Sequence, residues 1–85
     1  MKIIVTKDFE RSLKKFPSDA RKLYQTQRQR FQTDWRDPRL HAKKMHGLPG
    51  VFSFRVTRRY RALFYFTKEK REAVFFEIGH RKDVY

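Results

Sequence analysis

The residues in this chain best suited to chemistry are a set of arginines, one histidine and one tyrosine. Arg55 and Arg61 flank a short basic run, Arg58 and Arg59, between two apolar stretches. Residues 79–85 (GHRKDVY) then add His80, Arg81, Lys82 and Tyr85 directly after a third apolar stretch. Guanidinium groups stay cationic and fork onto phosphate oxygens. Histidine titrates near neutrality and can act as acid or base. Tyrosine can stack on a base or move a proton, but with a pKa of about 10 it is a poor base unless cations lie beside it. For residues 79–85 three readings stand: a basic tail, a final turn docked on the core, or part of a working site.

The charge balance points the same way. Lys and Arg number 22 against 9 Asp and Glu, a formal net charge of +13. Positions 38–68 carry no acidic residue, yet they hold Arg39, Lys43, Lys44, Arg55, Arg58, Arg59, Arg61 and Lys68. A solvated surface usually mixes both signs. A one-sided stretch predicts an anionic partner, nucleic acid or an acidic protein. There is no Cys, and no carboxylate lies between His41 and His46 or after them before Glu69. No metal site and no cofactor are therefore expected. No stretch approaches the ~20 apolar residues of a membrane span. Residues 1–7 are too short for the apolar core of a signal peptide. A soluble, cytoplasmic, bacterial protein with no membrane partner is the expectation.

Eighty-five residues make one small domain, 1–85. Residues 1–6 read as a strand, with Thr6 or Asp8 as a cap. Phe9, Leu13 and Phe16 recur at helical spacing. Pro17 ends that helix, and Ser18 is the expected cap of a second helix over 19–35. Its predicted apolar stripe is Leu23, Gln27, Phe31 and Trp35, with Ala20 and Tyr24 beside it. The Asp37-Pro38 pair closes it. The period then changes: 51–57, 60–66 and 73–78 are aromatic-rich and β-prone. The 47–50 stretch turns the chain into the first of these.

Strand parity constrains the register. Residues directly opposite in an antiparallel pair share a face. If Phe52, Phe54 and Val56 face the core with Ala62, Phe64 and Phe66, the loop between them must be odd-numbered. The simplest choice is 58–60, with Thr57 opposite Arg61. The same rule pairs Phe64 with Phe76 and Phe66 with Val74, leaving a longer loop at 67–72. Arg55, Arg61, Leu63, Tyr65, Phe75 and Glu77 then lie on the face away from the helices. Arg55 and Arg61 become diagonal neighbours, with Glu77 diagonal to Arg61. Guanidiniums among aromatics on an open face suit a phosphate backbone with bases beside it. The alternative is an Arg–Glu cross-strand pair without function.

The order strand, two helices, three strands resembles the RelE/ParE superfamily of bacterial toxin–antitoxin toxins. LPGVFSFRVTRRYRALFYF (48–66) is similar to that family's Leu-x-Gly-x-aromatic-Ser-x-Arg segment and the Tyr-Arg that follows it. IGHRKDVY (78–85) is similar to its closing His-Arg-x-x-x-Tyr. The resemblance implies an α+β fold: an N-terminal strand, a helical hairpin and a three-stranded antiparallel meander. These would form a four-stranded antiparallel sheet with two helices on one face, as in microbial ribonucleases. It implies a toxin that cleaves mRNA on the ribosome; the ParE branch instead inhibits DNA gyrase, and a non-catalytic RNA- or antitoxin-binding member is a third possibility. It also implies an acidic antitoxin that wraps the toxin, with operator DNA bound only through the pair. Arg55, Arg61, His80 and Tyr85 fall on the family's catalytic positions, with Arg81 in the closing motif. Lys43, Lys44, Arg58, Arg59, Arg81 and Lys82 are assigned to RNA phosphates and bases. The segment before the sheet has no counterpart of the glutamate some members use.

Metal-free RNA cleavage needs a base for the ribose 2′-OH, positive charge for the phosphorane oxygens and an acid for the leaving 5′-oxygen. Arg55 and Arg61 suit the charge role. His80 and Tyr85 suit the proton transfers. Glu77 is a weaker base candidate, and His46 a reserve.

Overall fold

The computed structural model describes residues 1–84. β1 (Lys2–Val5) leads into α1 (Lys7–Lys14). Thr6 caps that helix, its Oγ1 accepting the Phe9 N–H at 3.2 Å, which satisfies one of the helix's orphan donors. α2 (Ser18–Thr33) follows, with Pro17 itself in the cap position and no side chain capping it. Ser18, the expected cap, is instead the first helical residue. Proline holds the extended conformation a cap requires and has no N–H to leave unsatisfied.

The buried stripe of α2 is Ala20, Tyr24, Gln27 and Phe31, spaced i, i+4, i+7 and i+11. Leu23, predicted on that stripe, is 48% exposed. Burial pushes the Tyr24 phenol's pKa up, opposed by a hydrogen bond from Arg28. The helix ends at Thr33, so Trp35 lies beyond it. There its ring packs edge-on against Phe52 and Phe66, with centroids at 5.8 and 5.0 Å. A 3₁₀ turn, Pro38–Leu40, then buries Leu40. Asp37 starts it. Its Oδ1 accepts the Arg39 N–H at 2.9 Å and Nε at 3.0 Å, and its Oδ2 accepts Nη2 at 2.7 Å.

The described residues form one five-stranded sheet in the order β1-β5-β4-β3-β2. β2 is Lys43–Lys44, β3 Val51–Arg55, β4 Tyr60–Phe66 and β5 Glu72–His80. The β3–β4–β5 meander matches expectation. The four-stranded, all-antiparallel sheet does not. β1 pairs with β5 in parallel, Ile4 beside Val74. Parallel neighbours need a long crossover, and the chain from α1 to β4 supplies it. β2 adds a fifth strand against β3, Lys44 opposite Phe52. Its hairpin turns through Leu48-Pro49-Gly50-Val51, where Val51 N–H donates to Leu48 O at 3.1 Å and Gly50 has φ of 77°. Pro then Gly at the central positions is the pattern of a type II turn, whose third residue needs positive φ.

Two register details depart from the parity reading. The β3–β4 loop is odd-numbered but lies at 57–59, one residue early. The Thr57 hydroxyl accepts the N–H groups of Arg59 and Tyr60 at 3.1 and 3.2 Å, which closes the turn there. Arg55 is consequently directly opposite Arg61, not diagonal to it. Between β4 and β5, Ala62 pairs with Ile78 and Leu63 with Glu77, but Phe64 pairs with Phe75 and Phe66 with Ala73. A bulge inserts one residue on β5. Phe75, expected on the open face, is fully buried. The reason is parity: positions 75 and 78 differ by an odd number, so only an extra residue lets both Phe75 and Ile78 face the helices.

The core is largely aromatic. Phe31 on α2 touches Phe54, Phe64 and Phe75 at centroid distances of 5.6, 4.9 and 5.0 Å, and Phe9 on α1 reaches Phe75 at 5.8 Å. Phe31→Ala is expected to destabilise the domain by about 3–5 kcal/mol in urea unfolding. The Arg39 hydrogen bonds lower the Asp37 pKa from 3.8 to about 2. The stabilisation this gives is present above the unfolded value and lost as pH falls through about 2. Asp37→Asn should therefore lower the melting temperature at neutral pH, with the difference from wild type vanishing near pH 2.

Candidate functional site

Six of the sequence-predicted residues meet at one end of the sheet. Arg55, Arg58, Arg59, His80, Arg81 and Lys82 line a cleft of about 660 Å³, within the size range of ligand sites. No acidic side chain lines it among the described residues. The β3–β4 hairpin supplies one wall. The other comes from the end of β5 and from α3 (Arg81–Val84). The Arg81 N–H donates to the Arg59 carbonyl at 2.8 Å and fastens the two walls together.

Arg55 and Arg61 start as direct cross-strand neighbours and then part. Like charges directly opposite repel. Arg55 lines the cleft. Arg61 is 6% exposed and does not line it. Its Nε and Nη2 donate to Ser53 Oγ at 3.2 and 3.0 Å, and Nη2 also donates to the His41 carbonyl at 2.8 Å. His41 has a φ of 47° at the end of the 3₁₀ turn, a left-handed conformation that histidine adopts more readily than most residues. Arg61 thereby ties β4 to the segment that enters β2.

His80 pairs in register with Tyr60, and Gly79 with Arg61. His80 thus belongs to the row of Tyr60, on the helix side, and lies at the sheet's end. Its ring meets Tyr60 edge-on at 6.0 Å, and Tyr60 stacks on Phe16 at 4.4 Å. The Lys82 N–H donates to His80 Nδ1 at 3.2 Å. A neutral imidazole with Nδ1 accepting must carry its proton on Nε2. In that state His80 offers a donor at Nε2.

The other predicted residues lie elsewhere. Lys43 and Lys44 line a separate cleft of about 370 Å³ with Met45 and His46. Glu77 is exposed, and no ion pair joins it to Arg61. Tyr85 lies outside the described residues.

Sequence reasoning placed Gln27 in the helical stripe and missed its hydrogen bonds. Gln27 is 5% exposed. Its Nε2 donates to the Arg39 carbonyl at 2.9 Å and to the Arg55 carbonyl at 2.7 Å, while Arg30 Nη1 donates to its Oε1 at 2.8 Å. Arg30 thus orients the amide, and the amide locks the backbone of a cleft arginine to α2. A polar residue at a core position was the signal.

No family model matches the sequence, and no curated protein matches it. Solved structures do match. A YoeB/ParE toxin from Agrobacterium tumefaciens gives a TM-score of 0.78 at 10% identity, covering 95% of this chain and 99% of that one. The RelB–RelE antitoxin–toxin complex from Methanococcus jannaschii gives 0.77 at 23%, covering 96% and 94%. The RelBE2 toxin–antitoxin complex from Mycobacterium tuberculosis gives 0.65 at 25%, covering 94% and 96%.

Gln27→Leu keeps the volume but removes both donors, leaving the Arg39 and Arg55 carbonyls without that partner. Unfolding in urea should show a loss of about 1–3 kcal/mol.

Proposed function

We propose that this chain, which has the fold of RelE/ParE-superfamily toxins, is the toxin of a toxin–antitoxin pair and acts as an mRNA endoribonuclease. The observation that carries this reading is the cleft at the sheet's end, whose lining among the described residues is all basic, a histidine included. A pure binding face has little need of a titrating group.

In the proposed reaction the ribose 2′-oxygen attacks the adjacent phosphorus. The new P–O2′ bond forms as the P–O5′ bond breaks. Arg55, with Arg58 and Arg59, neutralises the charge that builds on the non-bridging oxygens. His80, in its imidazolium form, gives its Nε2 proton to the leaving 5′-oxygen and becomes neutral. Tyr85, as its phenolate, takes the 2′-hydroxyl proton, a role assigned from its residue type. Arg81 and Lys82 hold flanking phosphates. Arg61 keeps β4, Ser53 and the His41 segment in place, and Lys43 and Lys44 meet RNA further along. An acidic antitoxin that wraps the toxin is the proposed protein partner; the neighbours from M. jannaschii and M. tuberculosis are themselves toxin–antitoxin complexes. The ribosome presents the mRNA, and operator DNA is met only through the toxin–antitoxin pair.

Primer extension on cellular mRNA after induction tests the reading. Arg55→Ala and His80→Ala should each cut ribosome-bound mRNA about 10²–10³-fold more slowly while still co-purifying with the antitoxin. Normal cleavage by both variants would remove this site. Intact mRNA together with blocked DNA supercoiling would make the protein a gyrase inhibitor instead.

A further inference from the structure

The face of the sheet away from the helices carries an aromatic pair that the cleft does not use. Tyr65 is 41% exposed. Its ring lies 5.6 Å from that of Phe76, tilted by 48°. The bulge in β5 brings Phe76 there, because it is the extra residue between Phe75, which faces the helices, and Glu77. Val51 and Val74 flank Tyr65 on the neighbouring strands.

Tyr65 shares its face with Leu63 and Arg61, and Arg55 stands opposite Arg61. From Arg61 to Tyr65 the strand rises about 13 Å. That is no more than about four stacked nucleotide steps. We infer that Tyr65 and Phe76 form a stacking platform for a base of the same single-stranded RNA whose phosphates enter the arginine cleft. The inference rests on the proposed function.

Three observations favour RNA as the occupant. The platform lies on β4, the strand that starts beside the arginine cleft, with buried Leu63 and Arg61 between the two. Exposed Lys43, opposite Ser53, adds a cation on the same face. The two rings also offer area on the scale of one or two bases, far below the ~800 Å² per partner of a stable protein interface. Glu77 lies beside Phe76, exposed and with no hydrogen-bond or ion-pair partner among the described residues. A carboxylate repels phosphate and accepts N–H donors. Glu77 therefore turns the RNA backbone away from β5 and favours a base with two adjacent donors on its edge, namely guanine.

The test is fluorescence anisotropy of the full chain with labelled 2′-O-methyl RNA decamers, which lack the nucleophile and stay uncut. Tyr65→Ala and Tyr65→Leu should weaken binding about 5- to 100-fold with an unchanged salt slope, while Tyr65→Phe binds within twofold of wild type. Glu77→Gln should abolish the preference for guanine-containing over uracil-only decamers. Arg58→Ala with Arg59→Ala should flatten the salt slope by about 0.7 for each phosphate that is no longer neutralised. Wild-type affinity in both Tyr65→Ala and Tyr65→Leu overturns the platform. Weakening at Tyr65 with no effect at the arginines keeps the platform and overturns the cleft. Tyr65 variants that change self-association or antitoxin affinity but not RNA affinity make this a protein face and overturn the inference.

Discussion

The packing of Phe31 against three strands is the constraint on which the rest of the structure depends. One ring on α2 meets Phe54, Phe64 and Phe75, one from each strand of the meander. In a chain this small, without disulfides, apolar burial is the main source of stability and few side chains supply it. Placing Phe75 in that cluster while Ile78 also faces the helices requires the β5 bulge. The bulge in turn sends Phe76 beside Tyr65 and leaves Glu77 opposite Leu63. A packing demand on one face therefore arranges the chemistry of the other.

A second linkage runs from the core to the cleft through hydrogen bonds. Gln27 carries the rigidity of α2 to the Arg55 backbone, and the Arg81 N–H carries the hairpin tip to α3. The cleft's cations repel one another, so side-chain attraction cannot hold it shut. Backbone and amide bonds hold its walls, and the guanidiniums stay available for a ligand. Arg61 shows the contrasting use of the same side chain: buried, it works as a strut between Ser53 and His41.

Much of the fold was legible in the sequence. The helical hairpin, the meander and the odd-numbered hairpin loop follow from periodicity, because side-chain direction along a helix or strand is a local property. The bulge was not legible, because residues 74–76 offer apolar side chains to either face and only the partner ring decides which one turns inward. β2 was not legible either. Its pairing with β3 uses backbone groups, and two lysines carry no apolar alternation to announce it. The parallel placement of β1 depends on where two helices return the chain, which no short window contains.

For the candidate site, residue types alone point to an anionic partner: an acid-free basic stretch, paired arginine positions and a closing His-Arg-Lys run. The tertiary structure settles which of those groups lie side by side. It gathered Arg55, Arg58, Arg59, His80, Arg81 and Lys82 into one cleft, sent Lys43 and Lys44 to another, and turned Arg61 inward. Charge and side-chain type are written residue by residue. Proximity depends on register, which the turn at Thr57 moves by two residues, setting Arg55 rather than Thr57 opposite Arg61, and which the β5 bulge moves by one.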